Sequence, residues 1–177
     1  MANRPVFEAV EKTPFFRRMN IDFTFYNGFS FQQKQRCIRS LHGSYREVTG
    51  NDKILEVSSK SDNSLGIALS AFNLSMVDEQ GSRMTVESLF QRYKDNHPIN
   101  PPTYFFDWLY VKALHQNPDL AEQVIRYKAF TDIEFNPARQ INCQAEAAAI
   151  YVGLKNSGKL EEALEDKDTF RRVVFEK

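Results

Sequence analysis

The segment CQAEAAAIYVGLKNS, residues 143 to 157, constrains the fold more than any other stretch of the chain. Apolar residues run round the whole helical circumference, so this helix has no face to give to water and must be enclosed. Its alanines let neighbouring elements approach closely. Yet the residues that lead into it, FTDIEFNPARQINCQA at 130 to 145, are among the most polar in the chain. Asp132 and Glu134 flank an isoleucine, and Asn136, Asn142, Cys143 and Gln144 follow. Short polar groups delivered to the start of a buried helix either cap it and close a loop or line a site.

The rest of the pattern supplies the enclosure. Residues 19–26 alternate Ile21, Phe23 and Phe25 against Asp22 and Thr24, the period of a strand. Asn27 and Gly28 supply a turn, and Ser30 with Gln33 fits a capping box. The helix it opens runs to about Glu47, burying Phe31, Cys37 or Ile38, Leu41 and Tyr45. ILEVSS (54–59) reads as a second strand, and LGIALSAFNLSM as an ambiguous further one. Thr85 caps the helix TVESLFQRYK, HPINPP (97–102) is rigid through its prolines, and helical periodicity returns over 103–116. Asn117–Pro118 restarts a helix over 119–127 that buries Leu120, Val124 and Tyr127. Asn142 is placed to cap the alanine-rich helix, which stops at Gly158. Helical stretches follow over 160–164 and from Asp168. The class is α+β, mainly α-helical with a small β-sheet.

With 177 residues, 42% of them hydrophobic and fifteen phenylalanines, one domain with an ample core is expected. Lys plus Arg and Asp plus Glu number 23 each, so no net field draws the chain to nucleic acid or anionic lipid. A local basic face is drawn by Arg17, Arg18, Lys34, Arg36 and Arg39, a pattern shared with an ordinary solvated helix face. Cys37 and Cys143 lack metal-ligand spacing, and His42, His97 and His115 are widely separated, so no metal site is expected. There is no apolar signal core and no long apolar run, which makes a soluble cytoplasmic protein without a membrane partner the expectation.

Two further constellations carry possible chemistry. Glu87, Gln91 and Lys94 stand at i, i+4 and i+7 of one helix and share a stripe. That stripe is either a solvated ladder or, bordering a cleft, a base, an amide and a cation in register. VSSKS puts Ser58, Ser59 and Ser61 round Lys60 after a strand, which suits a ligand loop and a plain turn equally. No GxGxxG, Walker or GxSxG motif occurs, which disfavours a Rossmann unit and a serine triad. In the opening stretch, Asp132 or Glu134 could activate water. Asn136, Asn142 and Gln144 could hold hydroxyls or amides, and the helix start could favour phosphate.

Four blocks occur in a characteristic order: ILEVSSKSDNSLGIALSAFNL, TVESLFQ with Lys94, FFDWLYVKALHQNPDLAEQ and AFTDIEFNPARQINCQA. Together they resemble the NADAR proteins found beside DarT-type DNA ADP-ribosyltransferase toxins. Glu87, Phe90, Gln91 and Lys94 are similar to the Glu-x-x-x-Phe-Gln helix of the wider superfamily, which includes YbiA-like N-glycosidases. The resemblance implies a single NADAR/YbiA-like domain over 1–177. Residues 1–53 would form a strand-and-helix extension, 54–155 the motif-bearing core and 156–177 a helical end.

It also implies a function: an N-glycosidase that removes ADP-ribose from guanine in DNA and acts as antitoxin to a DarT-type toxin, with no cofactor. The alternatives are a non-catalytic ADP-ribose-binding module and an antitoxin that occludes the toxin by contact. On this reading the catalytic candidates are Glu87 first, then Asp132 and Glu134, with Lys94 or Lys60 stabilising charge or forming a Schiff base. Ser58, Ser59, Ser61, Asn73, Gln91, Asn136, Asn142 and Gln144 would bind substrate. Phe90, Tyr104 and Trp108 are aromatic platforms for adenine. One departure is the short DNHPINPP segment after Lys94, where related sequences carry a longer one that bears on substrate choice.

Overall fold

In the computed structural model, residues 1–96 and 102–177 are described. The expectation of a rigid HPINPP stretch concerns residues 97–102, of which 97–101, His97 included, lie outside them. The architecture is α+β, as the periodicities require. A four-stranded sheet has the order β2-β1-β6-β3, built from β1 (Ala2–Ala9), β2 (Phe16–Phe23), β3 (Ile54–Glu56) and β6 (Ala129–Thr131). β1 runs antiparallel to both β2 and β6, whereas β3 and β6 are parallel.

Alternation along these strands divides the core. Val6, Ile21, Ile54 and Ala129 face α1 (Phe31–Thr49), where they meet Cys37, Ile38, Leu41 and Tyr45. Phe7, Leu55 and Phe130 face the opposite layer, built mainly from α4 (Tyr104–His115) and α6 (Gln144–Asn156). The alanine-rich α6 is thus enclosed as its composition demands. Gly153 lies where an added Cβ would come within 2.4 Å of the Val10 carbonyl and 2.5 Å of that of Phe15.

Several expectations are corrected. β1 escapes an alternation test because Pro5 to Glu8 are buried without a break, as suits a strand covered on both faces. Pro5 is tolerated because β6 pairs only with Phe7 and Glu8, leaving that edge open alongside it. β2 ends at Phe23, so Phe25 turns out to solvent, 39% exposed. Phe31, expected under the first helix, is 46% exposed, while Cys37 and Ile38 are both buried.

The ambiguous LGIALSAFNLSM holds no long strand. Asn63 caps the short helix α2 (Ser64–Ala68), accepting from the Leu65 amide at 2.9 Å. A turn then leads to β4 (Ser75–Val77), which pairs with β5 (Arg83–Thr85). Thr85 caps α3 (Val86–Tyr93) as expected, accepting from the Ser88 amide at 3.2 Å. Pro118 opens α5 (Pro118–Val124), in which Val124 is buried and Leu120 half-buried. Asn117 makes no side-chain cap and ties α4 to β4 instead, donating to the Ala113 and Ser75 carbonyls at 2.7 and 2.8 Å. Asn142 does not cap α6 either, whose N-cap is Cys143. α7 (Leu160–Ala163) and α8 (Lys167–Phe175) close the chain beyond Gly158, which takes the left-handed conformation at φ 72°. Among the described residues, no helix is long and apolar enough to cross a membrane.

Candidate functional site

A cleft of about 430 Å³ opens between α3 and the loop that links β6 to α6. Glu87, Phe90 and Gln91 line one wall, and Asp132, Glu134, Asn142 and Gln144 line the other. The helical stripe therefore faces a cleft. Ala71, in the turn after α2, joins the two walls. Its carbonyl accepts the Glu87 amide at 3.0 Å, and its own amide donates to Gln144 Oε1. Gln144 Nε2 in turn donates to Asp132 Oδ2 at 3.0 Å, and Gln91 Nε2 donates to Glu87 Oε1 at 2.9 Å. The Asp132 carboxylate is thus linked through Gln144 and Ala71 to the Glu87 backbone amide, while the Glu87 carboxylate is held by Gln91.

Asp132 is held for ionisation and resisted by burial. Its Oδ1 accepts the Glu134 amide at 3.1 Å, and its carbonyl the Phe135 amide at 3.0 Å. Burial raises its carboxyl from 3.8 to about 6, the Glu134 charge adds to the rise, and the hydrogen bonds from Gln144 and the backbone oppose it. Near neutral pH it is a largely ionised, weakly solvated base. Behind it stands Glu56 of β3, only 1% exposed, which accepts the Ile133 amide and, at 3.1 Å, the Thr131 hydroxyl. Thr131 Oγ1 lies 2.7 Å from His42 Nε2 on α1. Burial raises Glu56 well above the usual carboxyl range, and the Asp132 charge reinforces the shift. Burial also lowers His42 to about 3, helped by Arg46, so the imidazole is neutral at pH 7.

The remaining wall is aromatic. Phe90 packs edge-on against Phe106, with centroids 5.7 Å apart, and Phe72 and Phe135 line the same cleft. Phe72 stands 66% exposed and Ile141 61% at the mouth, with Arg139 as the cation among the lining residues. Asn142 Oδ1 is buried without a hydrogen-bond partner among the described residues.

The other residues singled out from the sequence lie elsewhere. Ser58 and Ser61 are buried and serve the turn after β3, accepting the Lys60 and Asn63 amides, each at 3.1 Å. Ser59 is exposed. Lys60 Nζ lies 6.0 Å from the Phe31 ring centroid and does not line the cleft. Lys94 follows α3 in a 3₁₀ turn (Lys94–Asn96), exposed and also outside the lining. Asn73 donates to the Ile67 carbonyl at 2.9 Å, and Asn136 Oδ1 accepts the Ala138 amide at 3.0 Å, both turn contacts. Trp108 packs edge-on against Phe170, centroids 5.8 Å apart, and lines a separate cavity of about 540 Å³ with Phe105 and Lys112. Tyr104 is buried in the core.

Sequence reasoning missed Ala71, Phe72, Arg139 and Glu56. A carboxylate alone in the apolar run ILEV was the available signal for Glu56. It also missed Asp107, fully buried beside Thr103 and Glu146, where burial and then the Glu146 charge push its carboxyl well above the usual range. Among the described residues, no His, Cys, Asp or Glu cluster could hold a metal ion.

Glu87 of α3 and Asp132 after β6 thus line one aromatic-walled cleft of a single α+β unit. The model of the DarT1-associated NADAR antitoxin family matches residues 2–95 and 92–177, and the chain belongs to that family. No curated protein matches the chain.

Proposed function

We propose that this antitoxin-family member is an ADP-ribosyl glycohydrolase that releases ADP-ribose from guanine in DNA, undoing a modification by a DarT-type toxin. The observation that carries this reading is the convergence of Glu87 and Asp132 in one cleft beside an aromatic wall. Breaking the bond from the ribose anomeric carbon to the base leaves the electron pair on guanine and an oxocarbenium-like sugar. An ionised Asp132 stabilises that cation across a poorly solvated gap and takes the proton of the water that adds to it. Glu87, oriented by Gln91, faces the same space, and the proton taken from water ends on the guanine nitrogen that received the electron pair. Phe90 and Phe72 offer faces for adenine or guanine, Arg139 a cation for the diphosphate, and Asn142 Oδ1 an acceptor for a base N–H or sugar hydroxyl.

The test is incubation with guanine-ADP-ribosylated DNA followed by mass spectrometry. Free ADP-ribose with restored guanine supports the reading. Calorimetric binding of ADP-ribose without its release supports a binding module, and nucleotide-independent capture of the toxin supports occlusion.

A further inference from the structure

Beside the cleft lies a surface that the proposed chemistry does not use. Three phenylalanines within seven residues face water: Phe25 (39% exposed), Phe29 (96%) and Phe31 (46%). Single exposed apolar side chains are ordinary, but three exposed rings in one seven-residue segment are a candidate contact surface. Cations are interleaved with these rings. The Arg36 guanidinium carbon sits 4.5 Å from the Tyr26 centroid, and Lys60 Nζ 6.0 Å from that of Phe31. The surface reaches the cleft through α1, where Lys34, one turn beyond Phe31, lies 3.6 Å from Glu134 of the cleft wall.

We propose that this face, formed by Phe29, Phe31, Tyr26, Arg36 and Lys60, is a platform for single-stranded nucleic acid that feeds a modified base into the cleft. The inference rests on the glycohydrolase reading for its substrate but on separate residues for its evidence. Exposed rings stack on unpaired bases and have nothing to stack on in an intact duplex, while interleaved cations meet the backbone phosphates. The chain carries no net charge, so its affinity for a polyanion must come from such a local group. A strand held here would let the base reach Asp132 without melting a duplex at each encounter.

The experiment is fluorescence anisotropy with an unmodified oligonucleotide about 12 nucleotides long, as single strand and as duplex. The wild type is expected to prefer the single strand. Phe29→Ala/Phe31→Ala should bind it about 10-fold or more weakly, because each lost stacking contact has that order of effect. Lys60→Ala should lower the salt slope by about 0.7, one phosphate contact. Phe29 is nearly fully exposed, so folding is preserved, and a thermal melt checks it.

In parallel, the double variant should lose activity on modified oligonucleotide yet keep wild-type activity on ADP-ribosylated guanosine, which is too short to span the platform. Equal DNA affinity of wild type and variants overturns the proposal. So does a wild-type dimer that the double mutation dissolves, because the occupant is then a second copy. A wild type that cleaves neither substrate refutes the glycohydrolase reading instead, and the anisotropy series still decides the platform.

Discussion

Gln144 Nε2 donates to Asp132 Oδ2 at 3.0 Å, while the same amide's oxygen accepts from Ala71, whose carbonyl holds the amide of Glu87. One glutamine at the start of α6 thereby ties the two acids of the cleft to each other's walls. Its hydrogen bond lowers the Asp132 carboxyl against the upward push of burial. Gln144→Ala is expected to raise the Asp132 midpoint above 6 and to reduce ADP-ribose release at pH 7 by about 10-fold. Carbon NMR of the Asp132 carboxyl and a rate assay on one preparation check both effects.

Stability should follow the same group. Asp132 holds its proton more tightly when folded, about 6 against 3.8, so its contribution is fully present below about pH 4 and is lost as pH rises through about 6. Glu56, whose carboxyl burial also raises, contributes with the same sign. Urea denaturation between pH 4 and 8 should show stability falling over this window. Asp132→Asn should flatten the lower part of the slope, and an unchanged slope would refute the assignment.

Glu56 supports the cleft from behind, because its carboxyl accepts the Ile133 amide and the Thr131 hydroxyl on either side of Asp132. Glu56→Gln keeps one acceptor oxygen, which can take the Ile133 amide, and should lose less stability and activity than a substitution that removes both oxygens. Glu56→Met leaves the buried Ile133 amide without its acceptor, at a cost of about 1–3 kcal/mol, turns the Thr131 hydroxyl toward His42 Nε2, and should also shift the pH profile of turnover. Denaturation midpoints and pH–rate profiles of the two variants separate the outcomes.

Gly66→Ala tests the turn that carries Ala71. An added Cβ would lie 1.9 Å from the Glu56 carbonyl oxygen and 2.5 Å from Ser61 Oγ, so backbone must move. A loss of about 1–3 kcal/mol or more is expected from calorimetric melting, with reduced activity from the displaced cleft wall.

Periodicity made the long elements legible: α1, α3, α4 and α6 all announced their faces or their caps. The stripe of Glu87 and Gln91 was visible because i and i+4 share a face whatever lies opposite. What lay opposite was not, since only the folded chain brings Asp132 to α3. β1 and β6 were hidden for a physical reason: strands covered on both faces, or only three residues long, lack the alternation that reveals a half-buried strand. The serine-rich turn and the asparagines illustrate the reverse case. Residues suited equally to ligands and to turns were taken up by turns at Ser58, Ser61, Asn73 and Asn136, and no spacing rule distinguishes the two uses. Phe72 and Arg139 gave no local signal, because their place at the cleft depends on where two distant loops end.

The most direct test compares ADP-ribose release from guanine-modified DNA by the wild type, Glu87→Gln and Asp132→Asn, each shown by its melt to be folded. The account predicts turnover by the wild type and losses of about 100-fold or more in both variants. Full activity in both variants, or a wild type that binds ADP-ribose and never releases it from DNA, would contradict it.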